Sequence, residues 1–197
     1  MKIIGITGGI ASGKSEVSKI FEGIGIPVLN LDIVAKNIMS ENKDVINSLK
    51  ETFGEDIYEE NILNRKLLAS RAFINKTETE KLNNIVHPAV KLEVEKWKNS
   101  LHISYPYCMV ESAIMIESGF YKMMDLVIGV YCNKAERIKR TMKRDSCSRK
   151  EVLQRMKLQM SEQKKMKYYD FIIRNEDNNM HDVISAIHDI NEKMNKG

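Results

Sequence analysis

The sequence predicts an α/β fold of three layers: a five-stranded parallel sheet with helices on both faces and a further helical segment inserted into the chain. Three observations carry this expectation. The chain opens on a short apolar run, "KIIGIT" (Lys2–Thr7), that ends in glycines, as a buried parallel strand does. The next stretch, "GITGGIASGKSEV", holds Gly8, four residues, and then Gly13-Lys14-Ser15, the G-x-x-x-x-G-K-[ST] spacing of a phosphate-binding loop. Short apolar runs then return late in the chain, separated by stretches of helical period, which is the alternation expected of a parallel sheet.

From Lys14 to Glu22 the pattern is helical, with Val17, Ile20 and Phe21 on one face. "IPVLNLD" follows as a second strand ending near Asp32. Strand, glycine loop, helix and strand make one βαβ unit, the context a true phosphate loop requires. Residues from about 33 to 100 read as charged and helical, with no clear buried strand. "GEDIYEENILNRK" is a turn-rich excursion within them, and the long periodic segment after Asn75-Lys76-Thr77 is expected to break or bend at His87-Pro88. Strands resume at Tyr107–Ser112, Asp125–Cys132 and Asp170–Asn175, with helices over Lys134–Arg144, Arg149–Gln159 and Met180–Met194.

The loop's glycines let backbone N–H groups turn inward, and the helix starting near Lys14 adds its positive end. Lys14 is placed to bridge the β- and γ-phosphates of a nucleotide, and the Ser15 hydroxyl to ligate Mg²⁺. Gly8, Gly9, Ile10, Ala11, Ser12, Gly13, Lys14, Ser15 and Glu16 are therefore the candidate nucleotide-binding run.

A GTPase switch needs D-x-x-G and N-K-x-D. Asn133-Lys134-Ala135-Glu136 imitates the second with Glu in place of the guanine-reading Asp, and D-x-x-G is absent. A phosphotransferase needs instead a base near the acceptor hydroxyl and cations over the transferring phosphoryl group. Asp32, at the same sheet edge as the loop, is the candidate base and a metal-holding carboxylate, and it also reads as a helix cap. The cations come from "AERIKRTMKRDSCSRKEVLQRM": Arg140 and Arg144 are one helical turn apart, Arg137 lies near them, and Arg149 and Arg155 follow a short polar turn. A helix–turn–helix rich in arginine, over about residues 137–160, reads as a lid closing on ATP.

Composition narrows the partners. A net charge of +4 suits anionic ligands but is too small to indicate nucleic-acid binding. The three cysteines form no C-x-x-C pair and read as reduced thiols. No stretch approaches a membrane span or a secretory signal, so a soluble, cytoplasmic protein without a membrane partner is expected. His102, His181 and His188 lack metal-ligand partners and read as surface residues. Oligomeric state is not legible.

With these motifs in order the chain resembles the dephospho-CoA kinase family, from Lys2 to about Ile190. "GITGGIASGKS" is similar to the family's opening loop, and "VLNLD" to its "VIDAD" strand end. "NRKLLASRAF", His87-Pro88-Ala89-Val90 and Ala113–Gly119 match three further elements. Arg140 with Arg144, Arg155 with Gln159, and Asp170–Asn175 complete the set. Three positions depart from the pattern: Asn30 replaces an Asp, Ala113 a Pro, and Glu16 a common Thr.

The resemblance implies a P-loop NTPase fold with a nucleotide core at 1–32 and 105–197, and a helical acceptor-binding insertion at about 33–100. It implies transfer of the γ-phosphoryl of ATP, with Mg²⁺, to the ribose 3′-hydroxyl of dephospho-CoA. Arg65, His87 and Glu117 are then candidate acceptor contacts, and Asn175 lies where the adenine of ATP rests. The competing readings are a small kinase for a nucleoside monophosphate or polyol, and a nucleotide switch without catalysis.

Overall fold

The computed structural model describes residues 1–101, 105–176 and 179–196. The chain folds as two compact units, Met1–Asn30 with His102–Gly197, and Leu31–Leu101.

In the first unit β1 (Lys2–Thr7) is buried from its second residue onward, because every side chain there is apolar, small or a hydroxyl. It is the middle strand of a five-stranded sheet ordered β2 (Val28–Asn30), β5 (Tyr107–Glu111), β1, β6 (Leu126–Tyr131) and β7 (Phe171–Arg174). All four strand pairings are parallel. The chain leaves β1 for β2 and returns to place β5 between them, and later strands add on the other side of β1. Ligands of open α/β sheets bind at the carboxyl ends of the strands where the order switches, which is where β1 runs into its loop.

Helices α1 (Lys14–Gly23) and α9 (Met180–Lys196) pack against each other, and their apolar side chains meet those of the sheet. Val17 and Phe21 from α1, and Val183 and Ile187 from α9, close on Ile4, Ile6, Met109, Ile128 and Ile173. Met115 and Met124 fill the space that Gly5 leaves by lacking a side chain. Between β6 and β7 lie α6 (Lys134–Asp145), α7 (Arg149–Lys157) and the short α8 (Glu162–Lys165).

The second unit is a helical bundle with one small hairpin. It contains α2 (Leu31–Glu41), α3 (Lys43–Phe53), β3 (Tyr58–Glu59), β4 (Ile62–Leu63), α4 (Arg65–Ala72) and α5 (Lys76–Ser100). Asn42, Asn64 and Asn75 each accept a backbone N–H three residues on, so α3, α4 and α5 all start at a capping asparagine. Val34, Ile38, Leu49, Val86, Val90 and Val94 are buried in its core.

Three local expectations change. The second strand stops at Asn30, and Leu31 and Asp32 begin α2, so Asp32 sits in a helical first turn, where a carboxylate complements the helix dipole. The turn-rich excursion holds the antiparallel pair β3–β4, whose tip residues Glu60 and Asn61 have φ of 49° and 66°, as a type I′ turn demands. Finally, α5 runs without a break through Pro88, whose ring is on the exposed side while Val86 and Val90 are buried.

Candidate active site

The phosphate loop spans Gly8–Gly13, between the end of β1 and the first turn of α1. Its glycines answer three separate crowding problems. A Cβ on Gly8 would meet the Val130 carbonyl and the Ser12 hydroxyl, one on Gly9 the Arg137 guanidinium, and one on Gly13 the Asn175 amide. Gly13 also has φ of 97°, a left-handed conformation that favours glycine. As N-cap it has no side chain to cap the helix, and the positive end of the α1 dipole faces the loop. Ala11 is left-handed as well, with φ of 55°.

Lys14 is 9% exposed, and its ammonium donates to the Gly9 carbonyl at 3.4 Å, drawing the lysine back over the loop. The Ser15 hydroxyl donates to Glu111 Oε1 at 2.9 Å. Glu111 ends β5, is 6% exposed, and stands in register with Ile6 of β1 and Asn30 of β2. Glu111 is thus the carboxylate that stands beside Asn30 at the ends of the strands. Asn175, just past β7, is buried and donates to the Ser12 carbonyl at 3.1 Å and to Glu16 Oε2 at 3.4 Å. Its Nδ2 thus braces the loop.

Of the arginines, Arg137 lies against the loop. It is 9% exposed, abuts Gly9, and donates through Nη1 to Glu162 Oε2 at 3.0 Å. Glu162 also accepts from the Tyr169 hydroxyl at 3.0 Å. Burial first, and then the Glu162 charge, push the Tyr169 phenol well above its ordinary range. Arg140 pairs with Glu136 at 3.2 Å on α6. Arg144 and Arg155 both reach Asp145, each at 2.7 Å, and Arg144 remains largely exposed. The Arg144 hydrogen bond is the main reason that the Asp145 carboxyl is held below its usual value. A cleft of about 1090 Å³ opens along α6, α7 and α8, lined by Arg137, Arg149, Lys157, Gln159 and Met160 among others.

Glu117 does not face open solvent. Its Oε1 is 2.8 Å from the ammonium of Lys165, whose side chain is 0% exposed, and it accepts the Met160 N–H at 2.9 Å. In the second unit Asp32 and Arg65 are exposed, at the starts of α2 and α4. His87 is half-buried on α5, and burial, reinforced by the Lys91 charge, lowers its imidazole below the ordinary value. His181 and His188 are exposed on α9, while His102 lies outside the described residues.

The family model described as dephospho-CoA kinase matches residues 2–182. The chain belongs to the dephospho-CoA kinase family. It is 38% identical over 175 residues to the dephospho-CoA kinase of Clostridium tetani, covering 87% of this chain and 77% of that one. It is 36% identical over 177 residues to that of Bacteroides fragilis, covering 88% and 84%. A crystal structure from Thermus thermophilus superposes with a TM-score of 0.86 at 32% identity, over 98% of this chain and 97% of the other. The dephospho-CoA kinase of Campylobacter jejuni superposes with a TM-score of 0.71 at 27% identity, over 99% and 98%. The fold is that of a P-loop NTPase, and the chain is a phosphotransferase with an alcohol acceptor.

Seen as a kinase of this family, the chain has four residues, three touching the loop or the first turn of α1 and one behind them, that sequence reasoning undervalued. Glu111 carries a legible signal, an acid closing a buried apolar strand, which is the same signal used for Asp32. Arg137 carries one as well, because the i, i+3, i+7 spacing puts it on one helix face with Arg140 and Arg144. Gln159 stood out solely as part of a family motif. Lys165 carries none, since it sits in the basic run Lys164–Lys167 and reads as surface.

Proposed function

We propose that the loop binds the triphosphate of ATP and that the γ-phosphoryl passes to the ribose 3′-hydroxyl of dephospho-CoA, giving coenzyme A and ADP. The observation that carries this reading is the Ser15–Glu111 pair at the head of the loop, 2.9 Å apart. A hydroxyl and a carboxylate here are the hard oxygen donors that Mg²⁺ takes, alongside nucleotide phosphates and water. Among the described residues no three His, Cys, Asp or Glu form a metal cage of their own, which suits an ion that arrives with its nucleotide. Ser15 and Glu111 are the groups that would hold it, and when bound it would neutralise charge on the β- and γ-phosphates.

The residues divide the remaining work. The 3′-oxygen forms a bond to the γ-phosphorus while the bond from that phosphorus to the β,γ-bridging oxygen breaks, its electron pair leaving with ADP. Asp32 accepts the proton of the 3′-hydroxyl and orients it. Lys14 and the loop N–H groups hold the phosphates, and Arg140 and Arg144, both on α6 of the helix pair assigned as a lid, spread over the charge that develops. Arg65 and His87 are assigned to the acceptor, and Glu117 acts at one remove through Lys165. Asn175 serves the nucleotide by fixing Ser12. Among the described residues the three cysteines form no disulfide, which suits a reducing compartment, and we place the enzyme in the cytoplasm, where ATP is abundant.

Two single variants test this division. Asp32→Asn lowers kcat by roughly 10²–10⁴-fold with ATP affinity kept, and added Mg²⁺ does not restore it. Glu111→Gln also lowers kcat, and raising Mg²⁺ recovers part of the loss. Equal responses of the two variants to Mg²⁺ contradict the assignment.

A further inference from the structure

A glycine-rich loop has little internal structure to hold its shape, and here a turn hydrogen bond runs from the Ser12 N–H to the Gly9 carbonyl, at 3.1 Å. Ile10 lies between those two residues. Its N–H is taken from outside, by Gln159 Oε1 at 2.9 Å across 149 positions of sequence. The other end of the same amide, Nε2, reaches the Ala113 carbonyl at 3.5 Å. That carbonyl also accepts from Lys165 Nζ at 3.0 Å, and the residue after Gln159, Met160, donates its N–H to Glu117 at 2.9 Å. Residues 159–160 are therefore held on one side by a buried ion pair and a shared carbonyl, and on the other by the crown of the loop.

We infer that Gln159 is a positioning residue for ATP: it fixes the outer turn of the phosphate loop through Ile10 and couples that turn to the end of the arginine-bearing helix α7. The chemistry selects a primary amide. Asn and Gln carry a donor and an acceptor side by side on one planar group, so a single side chain can take the Ile10 N–H and give to the Ala113 carbonyl. Gln159 sits two residues beyond Lys157, where α7 ends, so a movement of α7 is transmitted to Ile10 through one side chain. Ala11, held at positive φ beside Ile10, makes this turn one that relaxes when its external partner is lost. The phosphate-facing N–H groups would then lose their common aim, and the cost falls on nucleotide binding rather than on the acceptor. The inference rests on the proposal that the loop binds ATP.

The test uses the full chain with Gln159→Met, which keeps length and removes both hydrogen bonds, and with Gln159→Ala. KM for ATP is expected to rise about 5- to 30-fold, the range for stranding one buried polar group, with KM for dephospho-CoA within about twofold of wild type. ATP binding by calorimetry without acceptor, together with the rise in thermal midpoint that ATP produces, should show the same loss. ATP affinity within twofold of wild type overturns the inference. So does a parallel rise in both KM values with a lowered midpoint, which marks a purely structural residue, and so does failure of both variants to fold. If the wild type does not phosphorylate dephospho-CoA, the functional reading fails, and the calorimetric comparison still decides the role of Gln159.

Discussion

Replacing Glu117 by alanine strands a lysine that has no access to water. The Lys165 side chain is 0% exposed, its ammonium lies 2.8 Å from Glu117, and it also donates to the Ala113 carbonyl at 3.0 Å. Removing one partner of a buried pair typically costs about 3–5 kcal/mol. The Ala113 carbonyl still solvates the amine, so a loss of about 3 kcal/mol is expected for Glu117→Ala. For a chain of this size each kcal/mol moves the thermal midpoint by about 2–4 °C, giving a drop of about 6–12 °C. Calorimetric melting at pH 7 of wild type, Glu117→Ala, Lys165→Met and the double variant measures it. The double variant should be less damaged than the sum of the singles, because Met at 165 leaves no charge to strand. A drop below about 2 °C, or strict additivity, refutes the reasoning.

Lys14→Ala is expected to lower kcat by about 10²-fold or more with a thermal midpoint close to wild type, since the lysine holds phosphate rather than the core. Retention of more than about a tenth of wild-type kcat, measured with ATP and dephospho-CoA, removes it from the catalytic set. His87, whose imidazole is lowered from 6.5 by burial, binds fewer protons folded than unfolded. Its contribution to stability is therefore complete above pH 6.5 and is lost as the pH falls through that value toward the folded pKa. Thermal midpoints of wild type and His87→Asn between about pH 7.5 and 5.5 should converge at the acid end, and parallel curves contradict the assignment.

The legible parts of this chain were those whose physics is local. Lys2–Thr7 is buried on both faces, so it reads as an unbroken apolar run, and the glycine spacing after it follows from crowding by Val130, Arg137 and Asn175. Helix caps at Asn75, Asn133 and Ser148 likewise sit where their short acceptors meet helical periodicity. The strand–helix boundary at Asn30 was less clear, because Leu31 continues the apolar pattern while already belonging to α2. The β3–β4 hairpin has two residues per strand, too few to show a period of two. Pro88 does not end α5, since its ring faces outward and the one lost N–H is tolerated in a long, well-packed helix. Long-range pairings were invisible: Ser15 with Glu111, Gln159 with Ile10, and Lys165 with Glu117 join positions far apart in sequence. Only the sheet register and the chain's return from α7 bring them together.

The identity of the hydroxyl that receives the phosphoryl group tests the proposed chemistry most directly. Wild-type protein is incubated with γ-labelled ATP and Mg²⁺ and offered, in parallel, dephospho-CoA, AMP, adenosine, shikimate and gluconate, with the products resolved by mass spectrometry. Label is predicted on dephospho-CoA alone, at the ribose 3′-oxygen, with ADP formed in equal amount. Label on AMP or a polyol at a comparable rate, or ATP consumption without transfer to dephospho-CoA, contradicts it.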